Sequence, residues 1–208
     1  MLFVYFFQRT LFNIHVLNPK CIVKAVIVSV IASYPLSRYE FKLKWPIMWG
    51  ILFISLLPIT AMMVPTYSMF VFTNLIDHRW AVSCFLAASS LPVSIWIMKG
   101  FFDSISIQLE EAAWIDGDTK FGSMFHIVMP LSIGGITVVT LVTFVAQWGN
   151  FYVPFILLSS NYKTPISSSI YMFFSSYGEP FYGLLAAYSI IYSCVPIITL
   201  TMHFGFRT

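Results

Sequence analysis

The sequence predicts an all-α protein, a polytopic bundle of about five transmembrane helices with a polar cytoplasmic segment between the third and the fourth. Composition is the first observation: 59% of the 208 residues are hydrophobic and only 9% charged, with a mean hydropathy of +0.84. That excess is more than the core of a water-soluble domain requires. The second is that the apolar residues come in blocks of about twenty or more, the length that crosses the hydrocarbon of a bilayer. The third is physical. In hydrocarbon each backbone N–H and C=O must be paired within its own segment, which selects helices over open sheets.

Taken in order, residues 1–20 form an atypical amino-terminal segment. Met1 to Phe7 is apolar, with no basic leader before it and no small-residue cleavage site after it, so no removable signal is expected. Residues 21–102 hold the first three spans. Span one, Cys21 to Leu36, is short and interrupted by Lys24 and Pro35. Span two, Trp45 to Phe72, carries Pro58 and Pro65, which remove backbone donors and are expected to kink or break the helix. Span three, Trp80 to Phe102, has Pro92 inside. Residues 130–208 hold the last two. Span four, Pro130 to Leu158, contains Gly134, Gly135 and Gly149, which permit close helix approach. Span five, Phe181 to Phe206, carries Pro196. An outer loop is expected near 159–180, and the aromatic stretch Tyr171 to Tyr182, with Gly178 and Pro180, is expected as an outer loop or a re-entrant turn at the interface. Prolines and glycines here fit helices bent around a pathway, and equally the ordinary composition of membrane helices.

Arg38, Lys42 and Lys44 cluster in one short loop, whereas Asp77 to Arg79 is nearly balanced, so the first loop is expected on the cytoplasmic side, and residues 103–129 with it. The net charge of +3 is spread along the chain without a basic run, which excludes nucleic acid as a natural partner. Cys21, Cys84 and Cys194 stand singly in apolar stretches and have neither metal-site nor disulfide spacing. His15, His78, His126 and His203 are scattered, with no metal-binding pattern, and no phosphate-binding G-x-x-x-x-G-K-S/T loop is present. No cofactor or metal is therefore expected on this chain. An enzyme would need ionisable residues converging inside the spans, and apart from Lys24 these are nearly absent.

The segment DSISIQLEEAAWIDGDTKFGSMFHIVM, Asp103 to Met129, holds five of the eight acidic residues. Read as a helix, Ile105, Leu109 and Ala112 share a face with Ala113 beside them, and Glu110 and Glu111 point elsewhere. Asp116-Gly117 is a helix stop, because glycine takes the left-handed conformation readily, and Asp118 or Thr119 can cap a second short helix leading to Pro130. Ser106 is a candidate cap for the first. Small alanines admit a close-lying surface, the glycine fixes the reversal, and the carboxylates suit a basic partner. The competing reading, a helix lying on the membrane surface, favours Lys and Arg on the polar face, and this one is acidic.

These residues resemble the inner-membrane permeases of ABC importers, whose cytoplasmic signature is E-A-A, two residues, often D-G, nine residues, then I-x-L-P. Glu111-Ala112-Ala113, Asp116-Gly117, Ile127 and Pro130 match at that spacing, and Met129 stands where leucine is usual. Ser37-Arg38-Tyr39-Glu40-Phe41-Lys42, Pro92 to Phe102 and Trp148-Gly149-Asn150-Phe151 are similar to the carbohydrate-type branch, the maltose-type and glycerol-phosphate-type permeases. Ser106 and Gln108 depart from that branch, which usually has proline and glutamate there. The resemblance implies a type I permease fold in a bacterial inner membrane, importing a sugar or sugar-like solute. Glu110, Glu111, Ala112, Ala113, Asp116, Gly117, Ile127 and Pro130 would form the element coupled to a separate ATPase subunit. ATP and magnesium would be used by that subunit. The implied partners are a second permease chain, alike or different, two ATPase subunits and an extracytoplasmic solute-binding protein, which the stretch Tyr171 to Tyr182 is a candidate to meet. The family's usual first span and basic, glycine-containing tail are not expected in this sequence, which leaves a second reading, a truncated or structural remnant of such a permease.

Gln147, Trp148, Asn150 and Tyr152 bring amides and rings together within one span, where a sugar can stack and hydrogen-bond. They are candidates for the solute pathway, or for bonds between helices. Lys163 and Glu179 are the charges of the outer region and are expected to be solvated.

Overall fold

The computed structural model describes residues 2–160, 163, 167 and 182–205. The outer stretch from Tyr171 to Phe181, with Glu179, lies outside them. The described residues are helical and contain no strand: α1 Leu2–Arg38, α2 Lys44–Ser55, α3 Ile59–Phe72, α4 Arg79–Asp103, α5 Gln108–Ile115 and α6 Lys120–Ser123. A π-helical segment Met124–Val128 follows, then α7 Met129–Leu131, α8 Ile133–Trp148, α9 Tyr152–Leu157 and α10 Tyr182–Gly205.

Pro19–Arg38 and Arg79–Asp103 are each long and apolar enough to cross a bilayer. The second and fourth expected spans are not single helices. The second is broken at Leu56–Pro58, where the proline has no N–H to continue the helix, into α2 and α3. The fourth is bent by 72° between Lys120–Leu131 and Ile133–Trp148, and interrupted again before α9. Each broken pair passes the same test only when its halves are joined, giving up to four spans, and the last apolar stretch, Leu185–Thr199, is shorter. At the amino end α1 runs back to Leu2, so residues 2–20 continue the helix of the first expected span.

The chain divides into two compact units. One comprises residues 22–58 and 87–143. Its core joins Val30 and Tyr34 of α1, Met98 and Phe102 of α4, Met124 and Val128 of the π segment, and Val139 of α8. Leu36, Met48 and Ile95 make a second cluster, where Trp96 Nε1 donates to the Met48 carbonyl at 3.3 Å. Buried serines keep the α1 surface low: Ser29 and Ser33 return their hydroxyls to the carbonyls of Val26 and Val30. Gly135 lies directly against Phe101, so close that a β-carbon there would overlap the ring. In lipid, where tails are as apolar as leucine, this kind of fit between small and large side chains holds helices together.

The other unit comprises residues 1–21, 59–86 and 144–208. Met63 and Phe70 of α3, Val82 and Leu86 of α4, Val153 and Leu157 of α9 and Tyr188 of α10 are buried in it. Trp148 packs between the rings of Phe144 and Tyr192, and the Tyr192 hydroxyl donates to its carbonyl at 2.6 Å. Beyond α3, Asn74 and Asp77 both take left-handed φ values, 54° and 65°, tolerated by these short polar side chains. The Asp77 carboxylate then accepts from Ser160 N, Ser160 Oγ and Lys163 Nζ. Lys163 is therefore paired.

Large apolar side chains point outward along the helices, among them Trp49, Phe53, Val64 and Phe72. In water such a surface would aggregate; a bilayer covers it.

Candidate functional site

The polar segment folds as helix, reversal, helix. α5 ends at Ile115, Asp116 N–H bonds back to the Ala112 carbonyl, and Gly117 adopts φ +94°. That angle strains any residue with a β-carbon, and open space surrounds the position a β-carbon would take. Glycine is required here by the backbone alone. Asp118 N–H returns to the Ala113 carbonyl, closing the turn. Thr119, in extended conformation, caps α6 by accepting from Gly122 N at 2.9 Å. Asp118 Oδ1 accepts from Thr119 N, and its Oδ2 lies 3.2 Å from His126 Nδ1. At the start of α5 the cap position is Ile107, without a side-chain bond; Ser106 Oγ reaches Gln108 N only at 3.4 Å.

One of the two carboxylates expected to face a partner is turned inward. Leu109 and Ala112 are exposed, whereas Glu110 is completely buried, with Ala113 and Trp114 half-buried beside it. Glu110 therefore does not share the outer surface with Glu111. Its carboxylate meets the end of α1: Tyr34 donates its hydroxyl to Oε2 at 2.7 Å, and Arg38 Nε lies 2.5 Å from Oε1. The arginine contact has the distance of an ion pair without the alignment of a hydrogen bond, and Arg38 Nη2 is buried with no partner among the described residues. The same Tyr34 hydroxyl approaches the Lys120 carbonyl at 3.3 Å. Trp114 Nε1 donates to Ser123 Oγ at 2.9 Å, which ties α5 to α6, and Lys120 Nζ sits 5.6 Å from the ring centres of both Trp114 and Tyr39.

With Glu110 anchoring its inner side, α5 presents Leu109, Glu111, Ala112, Ile115, Asp116 and Gly117 outward. Ile115 is 86% exposed. The result is an apolar tip beside a glycine reversal, on a helix held from its inner side. Ile127 is half-buried in the π segment and Pro130 is exposed in α7. Tyr34, Arg38 and Trp114 were not distinguishable in sequence as parts of this site; the signals available were the i, i+4 spacing of Tyr34 and Arg38 and their nearness to the end of an apolar block.

Residues 25–206 match the family described as the binding-protein-dependent transport system inner membrane component. The chain belongs to that family. The chain is similar to several permeases. It is 29% identical over 182 residues to the sulfoquinovosyl glycerol transport system permease protein SmoH of Agrobacterium fabrum, covering 88% of this chain and 63% of that one. To the probable ABC transporter permease protein YurM of Bacillus subtilis it is 32% identical, over 86% of this chain and 59% of the relative. To the maltodextrin transport system permease protein MdxG of the same organism the identity is 28%, over 93% and 71%. The chain thus spans about three fifths of the length of the first two. Its fold matches a chain of a bacterial ABC transporter involved in the import of the acidic polysaccharide alginate, with a TM-score of 0.78 at 20% identity, over 97% of this chain and 75% of that one.

The pathway candidates of this inner membrane component fall in the second of the units described above. Gln147 is buried and donates Nε2 to the Leu86 carbonyl at 3.2 Å, while its Oε1 has no partner among the described residues. Trp148 Nε1 is likewise buried and unpartnered. Asn150 Oδ1 accepts from Val153 N at 3.3 Å, so it serves the start of α9. Tyr152 lines a separate cavity of about 310 Å³ with Met63, Val64, Tyr67, Ser68 and Ile156. Gln147, Trp148 and Asn150 are not among the residues lining that cavity.

Proposed function

We propose that this chain is one permease half of an ATP-driven importer for a sugar or sugar-like solute, and that α5 with its glycine reversal docks into a separate ATPase subunit. The observation that carries this reading is the outward face of α5: an exposed Ile115 next to Gly117 at φ +94°, on a helix held from behind by a buried carboxylate. In a free surface loop an isoleucine so exposed gains nothing. In a partner's cleft its burial contributes about 1.5–3 kcal/mol. Glu111 and Asp116 add negative charge at the rim, suited to a basic cleft, and Ala112 lets the partner's backbone approach. Ile127 and Pro130 set the exit of the chain towards α8.

The names of the similar permeases support a carbohydrate-like solute. Gln147 and Trp148 supply the solute's polar contacts in this reading, because each carries a buried polar atom without a partner among the described residues. Nucleotide and magnesium belong to the ATPase partner, a second permease chain completes the pathway, and an extracytoplasmic binding protein delivers the solute.

The test is affinity purification from membranes in mild detergent, followed by uptake in vesicles. The wild-type chain should bring down an ATPase subunit. Gly117→Trp should insert normally, lose the ATPase and abolish uptake. Uptake by a complex shown to contain the Gly117→Trp chain would overturn the assignment, and recovery of the wild-type chain alone would favour a structural remnant.

A further inference from the structure

We propose that Glu110 is a positioning residue: with Tyr34 and Arg38 it forms a buried strut that makes α5 move as one body with the end of α1. This rests on the docking role given to α5 above. Tyr34 and Arg38 stand four residues apart, one above the other on the same face of α1. Between them they take both oxygens of one carboxylate, Oε2 from the tyrosine hydroxyl at 2.7 Å and Oε1 from the guanidinium at 2.5 Å. Side-chain exposures of 8% for Arg38 and 0% for Glu110 keep water from screening the pair. The tyrosine's approach to the Lys120 carbonyl brings the far side of the reversal onto the same pivot.

A second tie runs parallel to the first. Ser37 donates to Asp103 Oδ1 at 2.6 Å and Lys99 to Asp103 Oδ2 at 2.5 Å. The end of α1 thus holds residues 103 and 110, on either side of the short linker into α5. The Asp103 carboxylate is partly exposed and its bonds can exchange with water; Glu110 is the rigid tie.

Stability does not account for a charge pair at this place. A buried ion pair loses in desolvation much of what it gains in attraction, and well-packed apolar side chains of similar size are often as stable. Here the guanidinium also leaves Nη2 buried without a partner among the described residues. What two charges and an oriented hydroxyl supply, and methionines do not, is a fixed angle between two helices. A docking helix needs that angle if closure of its partner is to displace a membrane helix rather than merely tilt α5.

The experiment uses the complete transporter in proteoliposomes and reads solute imported per ATP hydrolysed, with subunit recovery measured on the same preparation. Glu110→Gln keeps an acceptor for Tyr34 and removes the charge. It should retain the ATPase subunit while import per ATP falls about fivefold or more, the scale of a typical coupling energy. The double variant Arg38→Met with Glu110→Met should assemble and remain uncoupled. Normal coupling in Glu110→Gln overturns the proposal. If Glu110→Gln fails to assemble, the double variant decides: assembly with full coupling, or no assembly at all, makes the pair a packing element and the proposal wrong. Failure of the docking role itself is distinguishable, since the wild-type chain would then bring down no ATPase.

Discussion

Asp77 and Lys163, 86 positions apart in the chain, meet at 2.5 Å, and the lysine also donates to the Asp77 carbonyl at 2.7 Å. Burial by itself would raise the carboxyl pKa. The bonds from Lys163 and Ser160 outweigh it and hold the group at about 2, below the ordinary 3.8. A depressed pKa contributes stability that is present above the unfolded value and is lost as pH falls towards the folded one. The contribution of Asp77 should therefore be complete above about pH 4 and vanish towards about pH 2. Asp77→Asn isolates the charge, because asparagine also tolerates the positive φ found here. In detergent at neutral pH the variant should unfold about 2–4 °C below the wild type, with the gap closing on acidification. A gap independent of pH would remove the ion pair as its cause.

Two glycines should respond to alanine for different reasons. Gly117→Ala meets no neighbour but forces φ +94° on a β-carbon, at a cost of about 1 kcal/mol confined to the reversal, with global unfolding little affected. Gly135→Ala meets Phe101 at its Cβ and Cγ, and overpacking of this kind costs about 1–3 kcal/mol. Adding Phe101→Ala should relieve only part of it, since Phe101 Cβ stays 2.8 Å from the new atom. Thermal unfolding of the three variants in one detergent checks both statements.

Trp114→Phe keeps a ring in place and deletes the donor to Ser123 Oγ. The bond is worth about 1 kcal/mol. The expected result is faster amide exchange across Asp116 to Thr119 with α4 and α8 unchanged, measured by hydrogen–deuterium exchange. Uniform loss of protection would mean that the ring, and not its N–H, holds the reversal.

Trp148→Phe removes a buried N–H that has no partner among the described residues, so the chain should be as stable as the wild type or slightly more so. If that atom serves the solute, uptake falls while stability does not. A matched loss of both would assign Trp148 to packing against Phe144 and Tyr192.

The reversal was legible in the sequence because its chemistry is local. Asp116-Gly117 stops a helix and Thr119 starts one whatever surrounds them, and Pro58 breaks a helix by lacking an N–H. The inward face of α5 was not legible. Apolar spacing grouped Ile105, Leu109 and Ala112 on one face without saying which side of α5 is buried, and it gave no ground for separating Glu110 from Glu111. What fixes the face is Arg38, on another helix and drawn to Glu110 rather than to Glu111. Lys163 misled for the same reason: its partner Asp77 is remote in sequence. A π turn of five residues is too short to leave any period to read.

That π turn, Met124–Val128, begins in the last three residues of the nine-residue interval between Gly117 and Ile127 and runs on through Ile127 and Val128. Wound at five residues where a neighbouring turn uses about four, it shifts the angular phase of all that follows by roughly 100°. Deleting any one residue within it would let the segment rewind as a plain α-helix, leaving every other side chain chemically intact and aiming Lys120, Trp114 and the Gly117 reversal at a different compass bearing from α8. The spacing between D-G and I-x-L-P is thus a count of rotation as well as of distance, and a change of length by one residue should harm this loop more than most exchanges of its residues.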